Sequence, residues 1–338
     1  MTTNRQIRIV AMPADKLSPE HFELSEGTAP EPGPGEVLCK VLYLSLDPAN
    51  RAWMQGATYR SALDPGQVMA GFTLAEVVVS NHPDFAPGDL TEGDGGWQEY
   101  FVAPGERLRK EQPHEPLSQL LSVLGVTGLT AHYGMQGLGK PQPGETVVVS
   151  AAAGATGSIA GQIAKLKGAT VIGIAGGPEK CRRLREEFGF DAAIDYKNES
   201  IFDALKATCP DGIHLYFDNV GGQTLDAVLF RMRPGGRIIC CGAVSQYDTA
   251  TPAAGPRGVP GLLMTKRLTM TGILLGDDPQ LVANARRELP EWVSAGKVKV
   301  AEDIVEGLEN APSGLIGLLA GENFGKRMVH VADYTRQR

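Results

Sequence analysis

The chain has 338 residues, enough for two domains and for a large core that needs no covalent staples. Its 42% hydrophobic and 21% charged content is that of a folded globular protein, and a net charge of −7 with no long basic patch gives a nucleic-acid role no electrostatic support. Five cysteines (Cys39, Cys181, Cys209, Cys240, Cys241) without a C-x-x-C pair, no apolar run of membrane-spanning length and no signal-peptide core after Met1 lead to the expectation of a reduced, cytoplasmic protein without membrane contact.

In chain order, residues 1–124 carry short apolar runs punctuated by Gly and Pro, the pattern of a mostly-β region. Ala29–Gly35 reads as a turn, and Val37–Leu46, Gly71–Val79 and Trp97–Val102 read as strands, with Pro87-Gly88-Asp89 and Pro104-Gly105 as punctuation. Leu117–Gly139 reads as helical with glycine breaks. Strands are then predicted at 146–150, 170–175, 192–194, 213–217 and 236–241, alternating with helices at 157–167, 178–187, 199–207 and 222–231. A strand at 268–274 and a helix at 279–295 complete this run. Such alternation predicts an α/β fold with a doubly wound parallel sheet, a Rossmann domain over 125–297. The tail holds a helix at 313–320 and the apolar run Arg327–Val331. It is expected to return to the first domain, giving a second unit of 1–124 with 298–338.

The strand at 146–150 runs into Ser150-Ala-Ala-Ala-Gly-Ala-Thr-Gly-Ser158 and then into a helix. Strand, small-residue turn, helix is the layout that binds a dinucleotide pyrophosphate, because small residues let phosphates approach the backbone N–H groups of a helix N-terminus. Ala153, Gly154, Thr156 and Gly157 are therefore candidate cofactor contacts, although the first glycine of G-x-G-x-x-G is replaced by Ala152. The next strand ends in Gly176-Gly177-Pro178 without the acid that binds a ribose 2′-hydroxyl, and Lys180, Arg182 and Arg183 follow. Gly177 and Lys180 thus favour NADPH over NADH, since a cation welcomes a 2′-phosphate that an acid would repel. A solvated helix face formed by Lys180 and the two arginines is the alternative.

Several stretches together resemble the medium-chain dehydrogenase/reductases that work without zinc, in the group of leukotriene hydroxydehydrogenases, prostaglandin reductases and alkenal double-bond reductases, curcumin reductases included. They are Tyr43-Leu-Ser-Leu-Asp-Pro48, Gly128-Leu-Thr-Ala131, Ala151–Ser158, Gly161-Gln-Ile-Ala-Lys165, Phe217-Asp-Asn-Val-Gly-Gly222, Gly235-Gly-Arg237, Gly242-Ala-Val-Ser-Gln-Tyr247 and Gly321-Glu-Asn-Phe-Gly-Lys326. The resemblance implies a GroES-like, mostly-β catalytic domain beside the Rossmann domain, and NADPH-dependent reduction of the C=C bond of α,β-unsaturated ketones or aldehydes. It implies Tyr196 beside Lys180 at the 2′-phosphate end, with Asn219, Tyr247 and Asn323 nearer the rest of the cofactor. It also implies a homodimer, for which Leu268–Leu275 is the expected pairing edge. Where the family usually reads Leu-Asp-Pro-Tyr-Met-Arg, this chain has Ala49-Asn50-Arg51 after Pro48. The pocket aromatic is absent there, so Asn50, Trp53 and Tyr59 are the candidate pocket residues.

Asp47 and Gly71-Phe72 stand where zinc-dependent relatives carry ligands, and the six histidines form no ligand-spaced set, so no metal is expected. Cys240 and Cys241 read as buried core thiols. Tyr247 is the candidate catalytic residue: a phenol protonated at neutral pH can donate to a developing enolate or order a proton-delivering water. A loop tyrosine touching only the cofactor fits the same sequence, Asn323 fits a turn after a helix, Tyr196 fits a surface strand end, and Arg51 fits a brace for Asp47 as well as it fits a ligand contact. Two other functions remain open at this point: quinone reduction at the same cofactor site, and cofactor binding with little catalysis.

Overall fold

Apolar, β-branched runs build a six-stranded parallel sheet in the computed structural model, which describes residues 2–335 except 253 and 277. Across it lie Ala192–Asp195, Thr170–Ala175, Thr146–Ser150, Ile213–Asp218, Met232–Cys240 and Thr269–Gly272. All five pairings are parallel. Counted in sequence order within the sheet this is 3-2-1-4-5-6, the doubly wound arrangement.

Side chains alternate between the two faces as a period of two requires. Val147 and Val149 pack with Ile159, Ile163, Leu184 and Leu289 on one face; Val148 packs with Leu205, Leu225 and Leu229 on the other. Each such buried aliphatic contributes about 1.5–3 kcal/mol. Both faces being covered explains why the strands read as continuous apolar runs.

The second sheet has seven strands. Glu302–Glu306, Lys326–His330, Glu36–Ser45, Thr73–Ser80, Leu90–Gly93 and Arg109–Glu111 lie in that order, and Tyr100–Pro104 also pairs with Glu36–Ser45. The tail strand is antiparallel to the first long strand, Met328 opposite Ser45 and His330 opposite Tyr43. A separate hairpin, Thr3–Ile9 with Phe22–Thr28, covers this sheet's core through Ile7, Ile9 and Phe22.

Three differences from the sequence expectations have physical reasons. The hairpin escapes periodicity because most of its second strand is exposed and polar. The helix expected over 117–139 is a 3-10 turn at Leu117–Leu120, an α-helix at Val126–His132 and a π-helical turn at Tyr133–Gly139. Gly134 and Gly137 in that turn sit against Phe217 and Leu281, with no room for a β-carbon. A short helix, Pro48–Trp53, stands where the sequence predicted no element, because Asp47 caps it and Asn50 closes the capping box.

Candidate active site

The loop after Thr146–Ser150 reverses sharply. Ala151 adopts φ 45°, a left-handed conformation uncommon outside glycine, and Gly154 is the N-cap of the helix Ala155–Leu166. A β-carbon at Gly154 would stand 3.2 Å from the Ala151 carbonyl oxygen, and one at Gly157 would fall inside that oxygen's van der Waals shell. Only glycine lets the helix start this close to the turn. The amides of Ala155, Thr156 and Gly157 open the helix and so have no intrahelical acceptor, while the helix dipole is positive there. Free donors, a positive field and no obstructing side chain fit a pyrophosphate.

The neighbouring strand end is built to match. Ser150 Oγ donates to Asp218 Oδ1 (3.2 Å) and accepts from the Asn219 amide (2.9 Å), and Asn219 Nδ2 donates to the Ser150 carbonyl (2.7 Å). Asn219 thereby locks the crevice between the first and fourth strands, where doubly wound sheets bind ligands. Asp218, 2% exposed, also accepts from the Val220 and Gly221 amides and from Tyr216. At the next strand end Gly177, at φ 103°, donates its amide to Asp195 (2.7 Å), and the Tyr196 ring covers Gly176, where a β-carbon would meet it at 2.9 Å.

Lys180 lies beside this end. Its Nζ donates to the Gly321 carbonyl (2.7 Å), and its pKa is lowered, first by burial and then by the nearby cations Lys197 and Arg327. Arg327 is itself paired with Asp303 (2.9 Å), whose charge partly offsets the lowering at Lys180, so Lys180 is the cation at this end whose Nζ has only a neutral carbonyl as its hydrogen-bond partner. The arginines go elsewhere: Arg182 pairs with Glu179 and Glu186, and Arg183 pairs with Glu187 and stacks on Phe324 (3.7 Å). The solvated-face reading holds for both of them, and Glu179 faces solvent.

The tail segment reaches in from the other sheet. The Gly325 amide donates to the Ala153 carbonyl (2.8 Å), and Gly154 and Gly325 form a parallel bridge. Asn323 Nδ2 donates to the Gly325 carbonyl (2.8 Å), so this side chain shapes the turn. Lys326, 2% exposed, donates to Asp47 Oδ1 (2.6 Å) and the Leu46 carbonyl (3.1 Å).

A cleft of about 610 Å³ opens on the first unit, lined by Tyr59, Arg60, Ser61, Leu63, Phe72 and Asp94 among others. Trp53 is buried behind it, edge-on to Tyr59 and Phe72, with the Arg60 guanidinium 4.5 Å over its ring. Tyr59 is largely exposed, and its phenol pKa is raised, first by partial burial and then by the Asp47 charge.

Two expectations need correction here. Asn50 is fully buried, with its Oδ1 accepting from the Asp47 amide (2.7 Å) and its Nδ2 donating to the Ala70 carbonyl (2.9 Å). It braces the wall and does not line the pocket. Arg51 does not brace Asp47; its Nε donates to Asp248 Oδ1 (3.2 Å). Residues missed from the sequence are Phe72, Arg60 and Asp94, whose convergence depends on a long loop, and Lys326, whose partner Asp47 lies 279 positions away.

Among the described residues no group of three or more His, Cys, Asp or Glu could hold a metal ion, no helix is long and apolar enough to cross a membrane, and all five cysteines are free thiols. Cys240 and Cys241 are half-buried, less enclosed than expected. Burial pushes Cys39 and Cys241 up to about 12, and Cys181 and Cys240 to about 11. All four therefore stay neutral thiols at pH 7.5, and the thiolate is the reactive form. Intact-mass analysis after iodoacetamide at pH 7.5 is expected to show almost no labelling of the folded protein and five adducts after denaturation.

Residues 5–110 match the family model described as the N-terminal domain of oxidoreductase, and residues 155–293 that described as zinc-binding dehydrogenase. The chain is 42% identical to the NADPH-dependent curcumin reductase of Escherichia coli (strain K12), over 97% of either chain. It is 43% identical to a 2-alkenal reductase (NADP(+)-dependent) of Nicotiana tabacum, over 89% of this chain and 88% of that one. The solved structure of CurA from Vibrio vulnificus in complex with NADPH superimposes with a TM-score of 0.92 at 40% identity, covering 97% of this chain and 99% of that one.

Proposed function

The chain belongs to the medium-chain dehydrogenase/reductase family and is an NADPH-dependent oxidoreductase; on that premise we propose that it reduces the C=C bond of α,β-unsaturated ketones or aldehydes without a metal. The observation that carries this reading is the glycine turn at Gly154 and Gly157, open to a pyrophosphate, in a chain that also presents a cleft walled by Tyr59 and Phe72.

NADPH supplies a hydride when bound. Ala153, Gly154, Thr156 and Gly157 hold its pyrophosphate, Gly177, Lys180 and Tyr196 the 2′-phosphate end, and Asn219 and Asn323 shape the crevice between them. Phe72, Trp53 and Tyr59 pack against the apolar body of the substrate and exclude water. Tyr247 donates a hydrogen bond to the substrate carbonyl oxygen. That bond would strengthen as negative charge develops on the carbonyl oxygen, which is why a neutral donor suffices there. Protonation at the α-carbon completes the reaction, with Tyr247 ordering the water that delivers the proton. On the same reading the free edge of the Thr269–Gly272 strand pairs with a second copy.

The small Ala49, where the family usually has an aromatic, favours a second reading, in which a flat quinone is the acceptor. NADPH oxidation with an alkenal, an aryl enone and a benzoquinone, with NADH as control, separates the two. Turnover of enone or enal is expected; turnover of quinone alone overturns the proposal, and NADPH binding without turnover of any of them leaves only a cofactor-binding protein.

Lys180→Met is expected to raise the KM for NADPH roughly tenfold, about 1.4 kcal/mol, and to leave that for NADH within about twofold. Because Lys180's pKa is lowered, its cation is lost earlier than an ordinary lysine's as pH rises. The wild-type kcat/KM for NADPH should accordingly decline on the alkaline side, and the variant should lose that limb.

A further inference from the structure

Tyr247 sits in a loop with no strand or α-helix of its own: a 3-10 turn at Val244–Gln246 ends on it, and its amide donates to the Val244 carbonyl (3.2 Å). A phenol that must meet one oxygen atom needs firmer support, and the next residue supplies it. Asp248 adopts φ 56°, the left-handed region that Asp and Asn tolerate better than other non-glycine residues. This aims its carboxylate into the first unit of the protein. There Asp248 Oδ1 accepts from the Leu17 amide (2.6 Å) and from Arg51 Nε (3.2 Å). Arg51 is 1% exposed and is fixed in turn by the Pro13 (3.3 Å) and Asp15 (2.8 Å) carbonyls. Asp15 Oδ1 accepts from the Ala250 amide (2.9 Å), so segment 13–17 grips the loop on both sides of Thr249. Lys16 adds a solvent-facing charge 3.6 Å from Asp248 Oδ2.

A buried guanidinium is a costly way to hold two pieces of chain together, and its Nη1 has no partner. Geometry is what such a pair supplies: the planar fork of Arg51 fixes the carboxylate in direction as well as in distance. We propose that Asp248, clasped by Arg51 and the 13–17 segment, is the positioning residue that holds Tyr247 in its donating orientation, so that the proton-donor geometry is set by the N-terminal unit. This rests on the catalytic reading of Tyr247 given above.

The test is a double-mutant cycle on kcat for an enone. Asp248→Gly keeps the left-handed backbone and removes the carboxylate; Asp248→Asn keeps an acceptor for the Leu17 amide. Asp248→Gly is expected to lower kcat roughly tenfold with the NADPH dissociation constant within about twofold, and Asp248→Asn to restore most of the loss. In the Tyr247→Phe background Asp248→Gly is expected to cost less than about twofold, because the group it positions is gone. Equal losses in both backgrounds, or none in the wild-type background, overturn the inference while leaving the role of Tyr247 intact. Full turnover by Tyr247→Phe alone overturns that role, and the inference with it. Should Asp248→Gly not fold, Asp15→Ala, an exposed change that frees only the Ala250 amide, takes its place in the same cycle and is read by the same outcomes.

Discussion

Tyr247→Phe is expected to lower kcat for an enone by about 10²-fold, the usual loss on removing one oxyanion donor, while NADPH affinity stays within about twofold. The hydroxyl is the only group changed. KM for the enone should move little, because the bond from Tyr247 to a neutral carbonyl is weak in the ground state and strengthens only as charge develops. Steady-state kinetics with NADPH binding measured separately by fluorescence reads both quantities. A loss confined to KM would assign the phenol to binding.

The second large effect is expected at Gly157. Its β-carbon would collide with the Ala151 carbonyl and would also crowd Ala152, both of them backbone atoms with no freedom to turn aside. Gly157→Ala must push the helix Ala155–Leu166 away from the turn. Overpacking of this kind costs about 1–3 kcal/mol of stability. The same displacement moves the helix N-terminus off the phosphates, so NADPH affinity is expected to fall roughly tenfold or more, at about 1.4 kcal/mol per tenfold. Thermal denaturation with and without NADPH checks it: the variant should lose most of the cofactor's stabilising shift as well as its own midpoint.

How far the molecule can be read in advance differs between its halves. The parallel sheet is legible because its strands are buried on both faces, and runs such as Val147–Val149 have few other places to go. The hairpin Thr3–Ile9 with Phe22–Thr28 is not, since few of its side chains are buried and its partners lie far along the chain. In the site, the phosphate turn is local and carries its own signature. Asn50 was misread although Asp47-Pro48-Ala49-Asn50 has capping-box spacing: the short helix it closes offers too few residues for a periodic signal. Asp248 gave no signal, because its meaning depends on Arg51, 197 positions earlier. Lys180 and the two arginines after it look alike in sequence. Only the Glu179, Glu186 and Glu187 partners separate the arginines from the lysine.

The bridge between Gly325 and the Ala153-Gly154 turn has a consequence for how the protein comes into being. During synthesis the phosphate turn leaves the ribosome long before residue 325 exists, and so does the strand Glu36–Ser45 that awaits the tail strand Lys326–His330. Domains fold as they emerge, but contacts spanning such distances close last. A nascent chain can therefore hold a finished parallel sheet and still lack one side of its nucleotide cradle. A chain cut short before Gly321 would lack both the partner strand of Glu36–Ser45 and the Gly325 contact to the turn, and so would expose an open sheet edge by which quality control can find it.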